Sequence, residues 1–277
     1  MIKTIKKIQD FTGQVSQKHV GAYAAQSAYF FVLSMIPIIL LLLAIIQYTP
    51  VTKADVMTAV VNLFPEANMQ DFMVGIVNEV YNQSKTVIPI TAIVALWSAG
   101  KGVLAVSTGL NCAYELRETR NYVFLRIRAS IYTILFIAAI VMALVLSVFG
   151  NNISIFVYHK IPLLADTTDL IMRLRTVISF VVMTGISLLV YHFLPNRKLP
   201  FRDLVLGSIF TSLGWLVISF IFSMYLTIFK GFSGLYGSMT AIILVMLWLY
   251  FCMYVMLLGG LINCVWVDVK REILEKD

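Results

Sequence analysis

The stretch Met239-Thr-Ala-Ile-Ile-Leu-Val-Met-Leu-Trp-Leu-Tyr-Phe-Cys-Met-Tyr-Val-Met-Leu-Leu-Gly-Gly-Leu-Ile-Asn-Cys-Val-Trp-Val267 is one continuous apolar run. A helix that crosses a bilayer needs about 20 mainly apolar residues, and this run exceeds that length. Five more stretches of the same kind precede it, at about 24–48, 87–110, 127–149, 170–194 and 204–229. A membrane barrel would instead show short segments of alternating polarity. Lipid offers no partner to an open backbone, so continuous runs imply helices. The chain therefore reads as an all-α polytopic membrane protein, a six-transmembrane-helix bundle forming one integral domain over 1–277.

Composition supports this reading. Of the 277 residues 60% are hydrophobic and 13% charged, and the mean hydropathy is +0.89. A soluble domain carries roughly 25% charged residues, so there is too little charge here to cover a water-exposed surface. The net charge of +7 would suggest nucleic acid in a soluble chain. In a membrane protein it is first a topology signal. Fourteen of the 21 Lys and Arg fall in the N-terminal segment, the second and fourth connections and the C-terminus, against six on the opposite side. Cytoplasmic loops carry the basic excess, so both termini are expected in the cytoplasm. That accounts for the basic balance without a nucleic-acid partner.

Two segments outside the spans are amphipathic. Ile2, Ile5 and Ile8 interleave with Lys3, Lys6 and Lys7, suiting either a short helix on an anionic leaflet or a solvated tail. In the outer segment 51–86, Met69, Phe72, Met73, Ile76, Val77 and Val80 repeat with helical spacing. Pro65 separates them from a shorter helix around Asp55 to Leu63. No connection reaches the length of an independent catalytic domain, at least about 50 residues. The basic start of the chain is set apart from the first apolar run, so no cleavable signal peptide is expected.

Ionisable groups at membrane depth are costly and point to function. Lys101, in Ala99-Gly100-Lys101-Gly102, is the clearest case. At 100° per residue Trp97, Lys101, Thr108 and Glu115 share one side of the second helix, with Asn111 at its margin. Such a stripe suits either an anion-binding cavity or a structural lysine that snorkels to the interface. Arg173 and Arg175 open the fourth helix on the outer side, as interfacial anchors or vestibule contacts. Ser34 and Pro37 fall within one turn and are expected to kink the first helix. Gly100 and Gly102, and Gly207, Ser208, Thr211, Ser212 and Gly214 of the fifth helix, suit close packing.

Cys112, Cys252 and Cys264 lack metal-ligand spacing, and His19, His159 and His192 belong to separate regions. HExxH, P-loop, CxxC and GxSxG patterns are absent from the sequence. Neither hydrolysis nor ATP-driven pumping is expected, and no cofactor or metal is implied.

Three segments carry a family likeness: Ser27-Ala-Tyr-Phe-Phe-Val-Leu-Ser-Met-Ile-Pro37, Leu96-Trp-Ser-Ala-Gly-Lys-Gly-Val103 continuing to Asn111 and Tyr114, and Leu235-Tyr-Gly-Ser-Met239 followed by Leu247-Trp-Leu-Tyr250, Leu258-Gly-Gly260 and Asn263. In this order they resemble the YihY/BrkB family of bacterial inner-membrane proteins over nearly the whole chain. The resemblance implies a six-helix protein of the cytoplasmic membrane, with transport the suspected activity. Some members have been called ribonuclease BN, for which these residues offer no nuclease site. The family often has Arg at the position of Lys101, and a Glu at the position occupied here by Leu261. The function expected is a non-ATP-driven transporter or lipid-handling protein for an anionic amphiphile; the alternative is a membrane scaffold. Membrane lipids are the expected partners, a homo-oligomer is compatible, and Lys101, Asn111, Glu115, Thr108, Arg173 and Arg175 are the candidate contacts.

Overall fold

Among the described residues, helices coincide with parts of the apolar runs. The computed structural model describes residues 12–46, 52–63, 70, 74–75, 77–78, 87–135, 175–196, 198–228 and 238–274. Among them, helix α1 covers 12–17, α2 Val20–Ile46, α3 Lys53–Leu63 and α4 Val87–Ala113. Helix α5 covers 122–135, α6 Arg175–Phe193, α7 Phe201–Ile228 and α8 Ser238–Leu274. The described residues contain no strand. The chain is all-α.

The stretches Phe201–Tyr225 of α7 and Ile242–Arg271 of α8 are long and apolar enough to cross a membrane. Helix α6 adds a shorter apolar stretch, Phe180–Phe193. Each of the other expected spans includes residues, or side chains, outside those described. Large apolar side chains point outward from these helices, Phe220 at 69% exposure and Val217 at 56% among them. Such a surface is stable only where lipid covers it.

Local chemistry sets the helix ends. Thr52 and Asp55 form a reciprocal cap at the start of α3: Asp55 Oδ2 accepts from the Thr52 backbone N–H at 2.9 Å, and Thr52 Oγ1 accepts from the Asp55 N–H at 3.2 Å. Hydrogen bonds from Thr52 hold the Asp55 carboxyl below its ordinary range. Helix α4 stops at Ala113 because the chain turns left-handed at Glu115 (φ 54°). The Glu115 N–H then reaches Cys112 O at 3.1 Å and the Leu116 N–H reaches Asn111 O at 2.8 Å. This pair of bonds is a Schellman cap.

The fold divides into two compact units. The first comprises Met1–Val32, Lys101–Arg126 and Leu174–Asp277. In it α7 packs on both α6 and α8, around buried Tyr191, Leu204, Leu257, Leu261 and Asn263. Small residues let α7 and α8 approach closely: Ser208, Thr211 and Ser212 are buried, and Gly207 faces the Gly259 carbonyl. The Tyr191 hydroxyl pairs with Thr211 Oγ1 at 2.5 Å and donates to Met256 O at 2.6 Å. Packing of the small-residue face is thus as the sequence suggested. Gly102 of α4 lies against the Phe31 ring and Gly109 against Tyr23 and Leu257.

The second unit comprises Leu33–Gly100 and Ile127–Arg173. Ser34, Val56, Val77, Ala99, Gly100 and Thr133 are buried there. Pro37 sits inside α2, which continues to Ile46. The amphipathic positions 2–8, most of the 69–80 pattern, Pro65, Arg173 and the loop around Gly231, Gly234 and Gly237 lie outside the described residues.

Candidate functional site

The polar groups of the first unit gather where α4, α6 and α8 end near the connections 114–121 and 194–200. Asn111, 4% exposed, stands at the centre. Its Oδ1 accepts from the Asn196 backbone N–H at 2.8 Å, and its Nδ2 donates to Glu118 Oε2 at 2.7 Å. Arg120 grips the same carboxylate, Nε to Oε1 at 2.7 Å and Nη2 to Oε2 at 2.8 Å. Hydrogen bonds from Arg120 are the largest cause holding the Glu118 carboxyl below its usual range, with Asn111 adding to them. The Asn196 Nδ2 donates to Arg117 O at 2.9 Å and Thr119 Oγ1 at 3.0 Å. Ser107 Oγ donates to Leu194 O at 2.9 Å, tying α4 to the end of α6. His192 stacks on Phe201 at 4.2 Å while its Nδ1 meets Leu199 O at 2.9 Å, so it packs the end of α6 against the start of α7.

On the other side of the α4 terminus, Lys18 Nζ pairs with Glu115 Oε1 at 3.1 Å and donates to Ala113 O at 2.9 Å. A cleft of about 130 Å³ opens beside Tyr114 and Glu115 and reaches Asp268 and Arg271 on α8. Asp203 of α7, largely buried, accepts from Lys270 Nζ at 2.8 Å, which fixes the start of α7 to the end of α8.

The expected polar stripe is divided by this geometry. Lys101 is exposed, and its ammonium lies 5.4 Å from the Phe30 ring centroid. Thr108 is also exposed, with its hydroxyl spent on Leu104 O at 2.9 Å. Asn111 turns inward instead. Glu115 does not continue the stripe, because the helix has ended two residues earlier and the left-handed turn redirects its side chain to Lys18. The structure therefore joins Asn111 to Glu118 and Asn196, and Glu115 to Lys18, and joins neither to Lys101. Arg175 opens α6, with its side chain outside those described.

Glu118, Arg120 and Asn196 are the site residues that the sequence did not single out. The available signal was a Glu between basic residues a few positions beyond Asn111. The partner Asn196 lies 85 positions away, and no local pattern points to it.

A family-wide sequence profile described as virulence factor BrkB matches residues 11–276. The chain belongs to the BrkB family. Among BrkB relatives, the ribonuclease-like protein YfkH of Bacillus subtilis (strain 168) is 31% identical over 87% of this chain and 87% of its own length. The UPF0761 membrane protein Bxeno_A3061 of Paraburkholderia xenovorans (strain LB400) is 21% identical over 94% of this chain and 60% of its own. A UPF0761 membrane protein of Pseudomonas aeruginosa (strain LESB58) is 28% identical over 27% of this chain and 18% of its own. The match thus spans most of YfkH but much less of the two UPF0761 proteins. No solved structure matches the chain. Family membership and the two long apolar helices together make this BrkB chain a membrane protein.

Proposed function

We propose that the chain is a multi-pass protein of the bacterial cytoplasmic membrane, with six spans and both termini inside. The charge asymmetry of its connections supports this. The arrangement can be checked by labelling introduced cysteines with a membrane-impermeant maleimide, in a background without the native ones. A cysteine at Lys198 should label only after the cells are opened. One at Ala54, on the expected outer segment, should label in intact cells. The reverse pattern would overturn the topology.

Within that frame the protein acts as a non-ATP-driven transporter or lipid-handling protein for an anionic amphiphile. Lys101 carries this reading. It stands midway along α4, and its side chain is exposed rather than packed into the fold. A lysine at the centre of a span costs about 2.5–3.5 kcal/mol on insertion scales. An exposed one is best accommodated by an anionic ligand or a hydrated path. The ribonuclease-like description belongs to YfkH, and the reading here rests on Lys101 instead.

The test is flux of a fluorescent anionic phospholipid between leaflets of proteoliposomes. Wild type should exceed empty liposomes, K101R should keep most of the rate, and K101Q should lose about tenfold, the worth of one charge-assisted contact. No flux above empty liposomes would favour the scaffold reading. Equal rates for K101Q and wild type would remove Lys101 from the mechanism.

A further inference from the structure

Helices α2 and α4 contain a single charged residue between them, Lys101. Neither helix has a carboxylate to neutralise it, and Lys101 forms no ion pair among the described residues. The two helices run antiparallel where they meet in the first unit, with Gly102 against the Phe31 ring and Gly109 against Tyr23. Gln26 falls between those two α2 residues, so its level lies between Lys101 and Thr108. It is also on their side of the contact. Phe30 is one turn along from Gln26 on the same face, and the Lys101 ammonium lies 5.4 Å from the Phe30 ring centroid. Lys101 and Thr108 share one face of α4, about 10 Å apart along its axis. All three side chains are exposed. They form a polar line along an otherwise apolar seam, flanked by Tyr29 on α2 and Leu104 on α4.

The hydrogen-bonding capacity of this line narrows what it can hold. Gln26 makes no hydrogen bond among the described residues, and its carboxamide offers both an acceptor and donors. Thr108 has committed its hydroxyl hydrogen to Leu104 O, which leaves its oxygen as an acceptor. Beyond the ammonium, therefore, the seam presents two acceptors that need donors from a ligand. A ligand ammonium would stand near Lys101 with no carboxylate on either helix to hold it. Ligand hydroxyls carry no such penalty. The charge calls for an anion, the acceptors call for hydroxyls, and the apolar flanks call for acyl chains.

We propose that this seam binds the headgroup of a phosphodiester lipid that ends in a polyol, of the phosphatidylglycerol type. Its phosphate meets the Lys101 ammonium, and its hydroxyls meet Gln26 and Thr108. The site rests on the role of Lys101 proposed above and adds to it a specificity that Gln26 determines. Binding does not require transport, so a protein that binds without flux would reject the transporter and keep the site.

The full chain in detergent is mixed with equal amounts of three short-chain lipids, and bound lipid is counted by native mass spectrometry. The lipids are phosphatidylglycerol, phosphatidylethanol (the same charge without hydroxyls) and phosphatidylethanolamine. Wild type should retain phosphatidylglycerol about tenfold over each of the others. Q26L should lower its retention about tenfold and T108V about threefold, both leaving phosphatidylethanol unchanged. K101Q should lower both anionic lipids about tenfold. Gln26 and Thr108 are exposed, so their variants keep the fold. Excess soluble glycerol phosphate should not displace the lipid; displacement would overturn the assignment to a membrane ligand. A preference for phosphatidylglycerol that survives both Q26L and T108V, or phosphatidylethanolamine retained equally well, would overturn the proposal. A loss of both anions in K101Q beside that result would still leave the role of Lys101 standing.

Discussion

Replacing Gly207 with valine should destabilise the protein by on the order of 3 kcal/mol, the upper part of the usual range for overpacking. The reason lies at the crossing of α7 and α8. A Cβ built on Gly207 would fall well inside contact distance of the Gly259 carbonyl oxygen and of the Asn263 carboxamide. The first obstacle is backbone and cannot rotate away. The second is already committed, since Asn263 Oδ1 accepts from the Gly207 N–H at 2.7 Å. One turn on, Thr211 is fully buried beside Tyr191, so the helices cannot separate at Gly207 alone without breaking that hydroxyl pair. Between helices in lipid there is little hydrophobic force to restore the contact, and close packing with hydrogen bonds holds it instead. Gly185 of α6 is the control: nothing lies within 4 Å of its added Cβ. G207V should lower the unfolding midpoint in detergent markedly, whereas G185V should change it little. Equal midpoints would show that the α7–α8 crossing does not limit stability.

Much of this architecture was legible because lipid imposes a simple rule on sequence. The run 239–267 announces its helix, and α8 extends it to Ser238–Leu274. The small residues of α7 disclose a packing face because only such side chains allow backbones to meet, as Gly207 and Gly259 do. The polar site was less legible for two physical reasons. Periodicity assumes that a helix continues, but the left-handed turn at Glu115 ends α4 and breaks the stripe. Asn111 lay at the stripe's margin, and whether a marginal residue faces inward depends on its neighbours in space. Here they are Glu118, from a turn, and Asn196, from another connection. Lys101 stands out in the sequence as a charge inside an apolar run, yet its exposure depends on tertiary packing and not on its own helix.

Loss of the Asn111 carboxamide should be the second large effect, about 2 kcal/mol for N111A. Asn111 uses both ends of its side chain, receiving the Asn196 N–H and donating to Glu118. Alanine leaves the half-buried Asn196 N–H without its acceptor, at about 1–3 kcal/mol, while the exposed Glu118 carboxylate keeps water and Arg120. N111D should be no better, because a second carboxylate would then face Glu118. Protonation should weaken the same network. The Glu118 carboxyl is lowered chiefly by hydrogen bonds from Arg120, so its folded-state value lies below the unfolded value of about 4.3. Its contribution is therefore complete above that unfolded value and declines as pH falls through the folded one. Wild type should be clearly more stable than E118Q at neutral pH, and the gap should narrow in acid. Unfolding midpoints of wild type, N111A and E118Q across that pH range decide the matter. A gap to E118Q that does not change with pH would remove the ionised Glu118 from the network. An N111A midpoint equal to wild type would mean that Asn111 does not hold the ends of α4 and α6 together.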